Sequence, residues 1–255
     1  MMTQLDINAD LGESYGAFQV GEDEQLMKVI TSANVACGFH AGDYNVIADT
    51  IERAKSEGVA VGAHPGFPDL FGFGRREFNM SPKEIYNLIT YQLGAIAGVC
   101  KVKDVELQHV KPHGALYNMA AKDYEMASSI AKAVRDFDSN LILFGLSNSE
   151  LVRAGKDEGL KVAQEAFADR AYTSAGYLAP RSMEGSVLTS LEEIEKQVLS
   201  IVQNGCTTSL DGKQIPLEAQ TICFHGDGDS AYHHAEHIKS VLQHHNVDVK
   251  KVGGS

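Results

Sequence analysis

The stretch SANVACGFHAGDYNVIADTIERAKSEGVAVGAH, Ser32 to His64, holds one complete unit of the fold. An apolar run (32–38) leads into a glycine-framed turn with His40. A segment of helical period follows (45–57), then Gly58, then a second apolar run (59–64) ending in another histidine. Short apolar runs bounded by glycine read as buried strands, and a helix between two of them makes a parallel β-α-β unit. Gly58 stands where a helix ends on a left-handed residue.

The same pattern extends in both directions. Further apolar runs are LDINAD (5–10), VELQHVKPH (105–113), LILFGL (141–146), KVAQEAF (161–167) and TICFHG (221–226). Helical segments are expected at 22–30, 82–100, 121–136, 148–158, 190–204 and 231–245. Ser81-Pro82 with Glu84 marks a helix start, and Gly159 and Gly205 mark helix ends. Residues 206–217, with Asp211-Gly212 at the tip, read as a short hairpin added to the α/β scheme. Seven strand-then-helix units predict a parallel sheet, either open and doubly wound or closed as a β/α barrel. Length favours the barrel, no GxGxxG follows the first strand, and a single domain over 1–255 is expected.

Bulk properties narrow the function. The chain has 255 residues, 44% of them hydrophobic, with 24 glycines, 6 prolines and no low-complexity run. A net charge of −12, from 34 acids and 22 bases, argues against nucleic acid, because a duplex binder needs a basic face for the phosphates. No apolar stretch approaches bilayer length and Met1–Asp6 has no secretion signal, so neither membrane nor export is expected. Cys37, Cys100, Cys206 and Cys223 show no CxxC spacing, and a reducing cytoplasm is the expected compartment.

In parallel α/β folds, ligands sit at the carboxyl ends of the strands. Six of the seven runs end in titratable groups: Asp10 and Glu13, with Asn8 before them; His40 and Asp43; His64; Lys111 and His113; Asp169 and Arg170; His225 and Asp227. Any one of these fits an ordinary structural role, but their concentration at one rim points to a shared site. Histidines with carboxylates permit proton transfer near neutral pH and equally a mixed His/carboxylate metal site. Lys111, Arg170 and Arg181 are candidates for an anionic substrate, with salt bridges to rim acids as the alternative. No GxSxG or GxxxxGK[ST] motif is present, GFGRRE (72–77) lacks the phosphate-loop spacing, and HHAEH (233–237) reads as a solvated helix face.

The ordered series INADLGESYG, SANVACGFHAGD, GAHPGFPD with GFGRRE, VKPHGALYN, EAFADRAY, APRSMEGSV and CFHGD resembles the LamB/YcsF family. It runs from about Asp6 to the last helix, departing from the pattern at Gly228-Asp229-Ser230. The resemblance implies a distorted β/α barrel similar to glycoside hydrolase and deacetylase barrels. It implies the A-subunit role in bacterial ATP-dependent 5-oxoprolinase, which acts with subunits B and C to convert 5-oxo-L-proline, ATP and water to L-glutamate, ADP and phosphate. ATP, with magnesium, is then a coupled substrate. Within that scheme Asp10, His64 and His113 are the expected acid/base group. Glu13, His40, Lys111, Arg170, His225 and Asp227 are the expected substrate contacts. A metal-dependent deacetylase or amidase acting alone, and a non-catalytic binding protein that positions substrate for a partner, are the alternatives.

Overall fold

A computed structural model describes residues 4–224 and 231–254. Seven parallel strands close into a barrel: β1 (Gln4–Leu11), β2 (Ser32–Ala36), β3 (Ala60–His64), β4 (Leu107–Val110), β5 (Ile142–Leu146), β6 (Lys161–Phe167) and, after an antiparallel hairpin of β7 (Cys206–Thr208) and β8 (Gln214–Pro216), β9 (Thr221–Phe224). Closure comes from β9, which pairs with β6 on one side and with β1 on the other. The alternation of runs and helices thus resolves as the closed barrel and not the open sheet.

Helices cover the outside: α1 (Asp23–Leu26), α2 (Tyr44–Glu57), α3 (Pro82–Lys103), α4 (Gly114–Ala120), α5 (Tyr124–Phe137), α6 (Glu150–Asp157), α7 (Leu191–Asn204) and α8 (Ala231–His244). Local chemistry sets their ends. The Ser81 hydroxyl and the Glu84 carboxylate form a reciprocal capping box with Pro82 in the first turn of α3. Asp43 accepts from the Asn45 and Val46 amides to start α2, and Gly58 ends it in the left-handed region. Gly205 closes α7 in the same way. Helix α4 is absent from the sequence reading, because a Pro-His-Gly turn leads straight into a helix too short to show a period. No helix among the described residues is long and apolar enough to cross a membrane.

The apolar core lies between barrel and helices, while the barrel interior is polar. Asp6 accepts hydrogen bonds from Thr31, Ser32 and Thr221. Above it Asn8, Asn34, His109 and Glu165 bond to one another directly or through shared partners. Gly62 makes room for His109, since a Cβ there would fall 2.1 Å from the imidazole Nε2. That ring stacks on Phe144 at 4.2 Å. Strand β10 (Asp248–Val249) pairs with the start of β1, and Val252 beyond it packs against the small cluster of Ile142, Phe144 and Ala163. The carboxyl end is left for a site.

Candidate active site

Four strand ends converge there. Asp10 terminates the inward row of β1, and Glu13 follows once the chain has turned at Gly12. His40 reaches in from the loop after β2, His64 is the last residue of β3, and Lys111 and His113 follow β4. The loop carrying His40 lies against the loop carrying Glu13 through two glycines. Gly42 has φ of +78°, and a Cβ on it would sit 2.7 Å from the Gly12 carbonyl oxygen.

Glu13 Oε1 stands 3.2 Å from His40 Nε2 and 3.5 Å from His113 Nδ1. His113 Nδ1 is 3.0 Å from His64 Nε2, and His64 Nε2 is 3.3 Å from Asp10 Oδ2. The His40 and His113 rings stack in parallel at 3.7 Å, and His40 and His64 are essentially inaccessible. Burial holds the His40 and His113 imidazoles well below their ordinary range, and the neighbouring imidazoles push them the same way. Glu13, His40, His64 and His113 each offer a ligand atom within 4.8 Å of the others, so they form a group able to hold a metal ion.

Lys111 lies beneath this group. Its Nζ is 3.0 Å from Asp10 Oδ1, 2.8 Å from Glu165 Oε1, 3.2 Å from Asn8 Oδ1 and 3.1 Å from Cys223 Sγ. Burial alone would lower the ammonium pKa. Asp10, Cys223 and Glu165 outweigh it and hold the group well above its usual range. Glu165 also accepts from the Tyr117 hydroxyl at 2.6 Å. Strand-end reasoning misses Glu165, although a lone charge inside the apolar run KVAQEAF is a signal that could find it.

Above the floor opens a cavity of about 340 Å³, within the range of small-molecule sites. Asp10, Glu13, His64 and His113 form its base, and Arg75, Lys122, Arg170 and Arg181 stand around it with Tyr177 and Asn118. Arg170 is fixed by donating to the Ser186 and Ala179 carbonyls. Burial, and then Arg181 nearby, lower its pKa to about 10, which leaves it cationic at neutral pH. An acidic protein therefore carries a cationic mouth over an acid/base floor. Arg75 comes from the GFGRRE segment, which has no phosphate-loop spacing yet lines the cavity. Its loop is pinned by Asp69, which pairs with Arg76 and accepts from the Gly72 amide at 2.9 Å. Asp10, Glu13, His40, His64 and His113 come together, Lys111 supports them from below, and Arg170 faces them across the cavity. His225 and Asp227 lie outside the described residues. Asp43 serves as the cap of α2 and holds the Gly16 amide at 2.8 Å. The HHAEH segment lies on α8, where His237 pairs with Glu195.

A closed parallel barrel with buried imidazoles and carboxylates at its carboxyl rim carries the kinds of group that acid–base chemistry on a small molecule uses. The chain belongs to the LamB/YcsF family, whose model matches residues 5–255. A protein of Halalkalibacterium halodurans, named as the A subunit of 5-oxoprolinase, is 51% identical over 251 residues, covering 98% of both chains. Another of the same name, from Tolumonas auensis, is 51% identical over 249 residues, covering 98% of this chain and 99% of its own. A crystal structure described as a lactam utilization protein from Thermus thermophilus superposes with a TM-score of 0.91 at 45% identity, over 97% of this chain and 99% of that one. The catalytic domain of a peptidoglycan N-acetylglucosamine deacetylase from Eubacterium rectale matches at a TM-score of 0.52 and 12% identity, covering 100% of this chain and 91% of that one, a likeness of fold alone.

Proposed function

We propose that this chain is the A subunit of an ATP-dependent 5-oxoprolinase, working in the cytoplasm with subunits B and C to open 5-oxo-L-proline to L-glutamate. The observation that carries the reading is near-full-length identity of about half to proteins of that name, joined to a cavity with a cationic mouth and an acid/base floor.

The chemistry suits such a floor. Amide resonance stabilises the unstrained lactam, so opening it releases little free energy and needs coupling. Phosphoryl transfer from ATP to the lactam oxygen turns that oxygen into a leaving group. Water then adds to the ring carbon, the C–N bond breaks with its electron pair going to nitrogen, and a proton completes the amine. A second water then hydrolyses the resulting acyl phosphate, giving the new carboxylate and inorganic phosphate. The chain has no phosphate-loop motif, so the nucleotide is assigned to one of the partners.

Asp10 is assigned the proton transfers, because it is 12% exposed and so reaches the cavity while Lys111 fixes its Oδ1 and leaves Oδ2 beside His64. The attacking water is placed in the cavity against Asp10, over the floor that Glu13, His64 and His113 form. Arg170 and Arg181 take the substrate carboxylate, Arg170 offering a guanidinium already oriented by two carbonyls. Lys111 acts on substrate through Asp10, whose ionised form it favours. His225 and Asp227 stay in the scheme as substrate contacts on the strength of the CFHGD segment.

The test is 5-oxoproline-dependent ATP hydrolysis and glutamate release by the chain combined with B and C subunits. Asp10→Asn is expected to lower the rate of the full complex by at least about 100-fold. An unchanged rate removes Asp10 from the chemistry. Lactam or acetamide cleavage by the chain alone, without ATP, replaces the reading with that of an independent amidase.

A further inference from the structure

We propose that Glu13, His40, His64 and His113 bind one divalent transition-metal ion of the zinc type at the floor of the cavity. Proton positions define the donors. His64 Nδ1 lies 2.7 Å from the Lys111 carbonyl oxygen, and His113 Nε2 lies 2.8 Å from the Phe73 carbonyl oxygen. A carbonyl only accepts, so both of those nitrogens carry hydrogen. In the neutral rings the other nitrogens, His64 Nε2 and His113 Nδ1, then present bare lone pairs.

Those two lone pairs face each other at 3.0 Å. His64 Nε2 has a further acceptor, Asp10 Oδ2, at 3.3 Å, and His113 Nδ1 has Glu13 Oε1 at 3.5 Å. Two bare imidazole nitrogens facing each other in a buried place repel unless a proton or a metal cation lies between them. Direct proximity to Lys111 is not the answer, because that ammonium sits below, bonded to Asp10, Asn8, Glu165 and Cys223.

The spacing fits a metal. Zinc–nitrogen bonds of about 2.0–2.1 Å in a tetrahedron place ligand atoms about 3.3–3.4 Å apart. The ligand contacts here run 3.0, 3.2 and 3.5 Å, and all four atoms lie within 4.8 Å of one another. Three imidazoles and one carboxylate favour zinc, cobalt or nickel over magnesium or calcium, which prefer oxygen donors. The carbonyls of Lys111 and Phe73 do what outer-sphere partners of a metal-bound histidine do: they fix the tautomer and the ring orientation. Asp10 sits beside the ion's position, facing the cavity. This site deepens the proposed lactam-opening chemistry, and rests on that reading for its role, by placing a fixed positive charge beside Asp10 at the floor of the cavity; ion binding itself rests on donor geometry alone.

The test is metal stoichiometry of the purified full chain after chelation and reloading with Zn²⁺, measured by elemental analysis. It is combined with the visible spectrum of the Co²⁺ form. We expect one ion per chain and the intense ligand-field bands of a four-coordinate, nitrogen-rich site. His64→Gln and His113→Gln should each weaken Zn²⁺ binding by at least about 100-fold. A His233→Gln/His237→Gln variant of the His-rich helix α8 should retain the ion. Absence of a stoichiometric ion in the wild type would overturn the proposal and leave a proton shared between His64 and His113. Loss of the ion in the α8 variant, or retention in both site variants, overturns it too. Should the site variants fail to fold, the wild-type Co²⁺ spectrum decides, weak six-coordinate bands counting against. Metal binding without activity in the complex would instead count against the proposed function, so the two fail separately.

Discussion

Lys111 shows how much one buried side chain can organise. Its ammonium separates two carboxylates, Asp10 and Glu165, that would otherwise share one low-dielectric space. Removing one partner of a buried ionic group leaves an uncompensated charge and costs about 3–5 kcal/mol. Lys111→Met is therefore expected to lower unfolding free energy by that amount in urea titrations at pH 7. Adding Glu165→Gln to it removes one of the stranded charges and should recover a measurable part of the loss. Purely additive losses in the double variant would show that Lys111 and Glu165 do not interact as described. Sequence makes the residue visible but not its direction. Lys111 and Arg170 both follow apolar runs, so both read as cations at the rim. Only the barrel's curvature reveals that one points down among acceptors while the other reaches across the mouth. Arg75 is hidden for the complementary reason: it lies well beyond the end of its strand, in a loop whose path back to the cavity has no periodic signature.

At the level of elements, two helices hold site loops through a buried glutamine each. Gln92 of α3 accepts from the Gly66 amide at 2.9 Å and donates to the Gly66 carbonyl at 3.0 Å, fixing the turn after β3. Gln197 of α7 donates to the carbonyls of Phe167, Ala168 and Arg170 at 2.9, 3.1 and 2.9 Å, fixing the turn after β6. Each stands among apolar residues of an amphipathic face, Leu88, Ile89 and Leu93 in one case, Ile194, Val198 and Ile201 in the other. A glutamine breaking an apolar stripe is a signal that sequence offers, although its partners are not. Gln197→Leu strands three buried carbonyls, at about 1–3 kcal/mol for each group left unsatisfied. Because the Arg170 loop is the one released, 5-oxoproline KM in the reconstituted complex is expected to rise about 10-fold or more, with kcat falling less. Gln92→Leu, which releases the turn behind His40, should do the reverse and depress kcat. Equal effects on both constants in both variants would mean that the glutamines support the fold generally and not separate parts of the site. The helices themselves are legible because their caps are local: Ser81 with Glu84, and Gly58 and Gly205, act within a few residues of chain. Strand β10 is not, since a two-residue strand owes its existence to the edge of β1 that it meets.

The barrel as a whole encloses a polar column, and two of its buried members carry opposite shifts that cancel in the intact molecule. Burial raises the Asp6 pKa to about 6, with its three hydroxyl donors opposing and Glu165 adding to the rise. Burial, and then Lys111, lower the His109 pKa to about 3. At about pH 5 the folded protein therefore holds Asp6 protonated and His109 neutral, whereas the unfolded chain holds an ionised aspartate and a charged histidine. The bound protons are equal in number, so this pair leaves stability flat with pH in that region. Asp6→Asn leaves only His109, which takes up a proton on unfolding, so stability should fall as pH drops, about 1.4 kcal/mol more per pH unit than in wild type. His109→Gln leaves only Asp6, which releases a proton on unfolding, so stability should fall as pH rises, by a similar slope in the opposite sense. Urea midpoints of the three proteins between about pH 4.5 and 5.5 measure this directly. The slopes of the two variants should diverge by about 2.7 kcal/mol per pH unit. A divergence of only about 1.4 kcal/mol per pH unit would mean that either Asp6 is ionised or His109 is charged inside the barrel, and parallel slopes that both are, in conflict with a buried neutral imidazole stacked on Phe144.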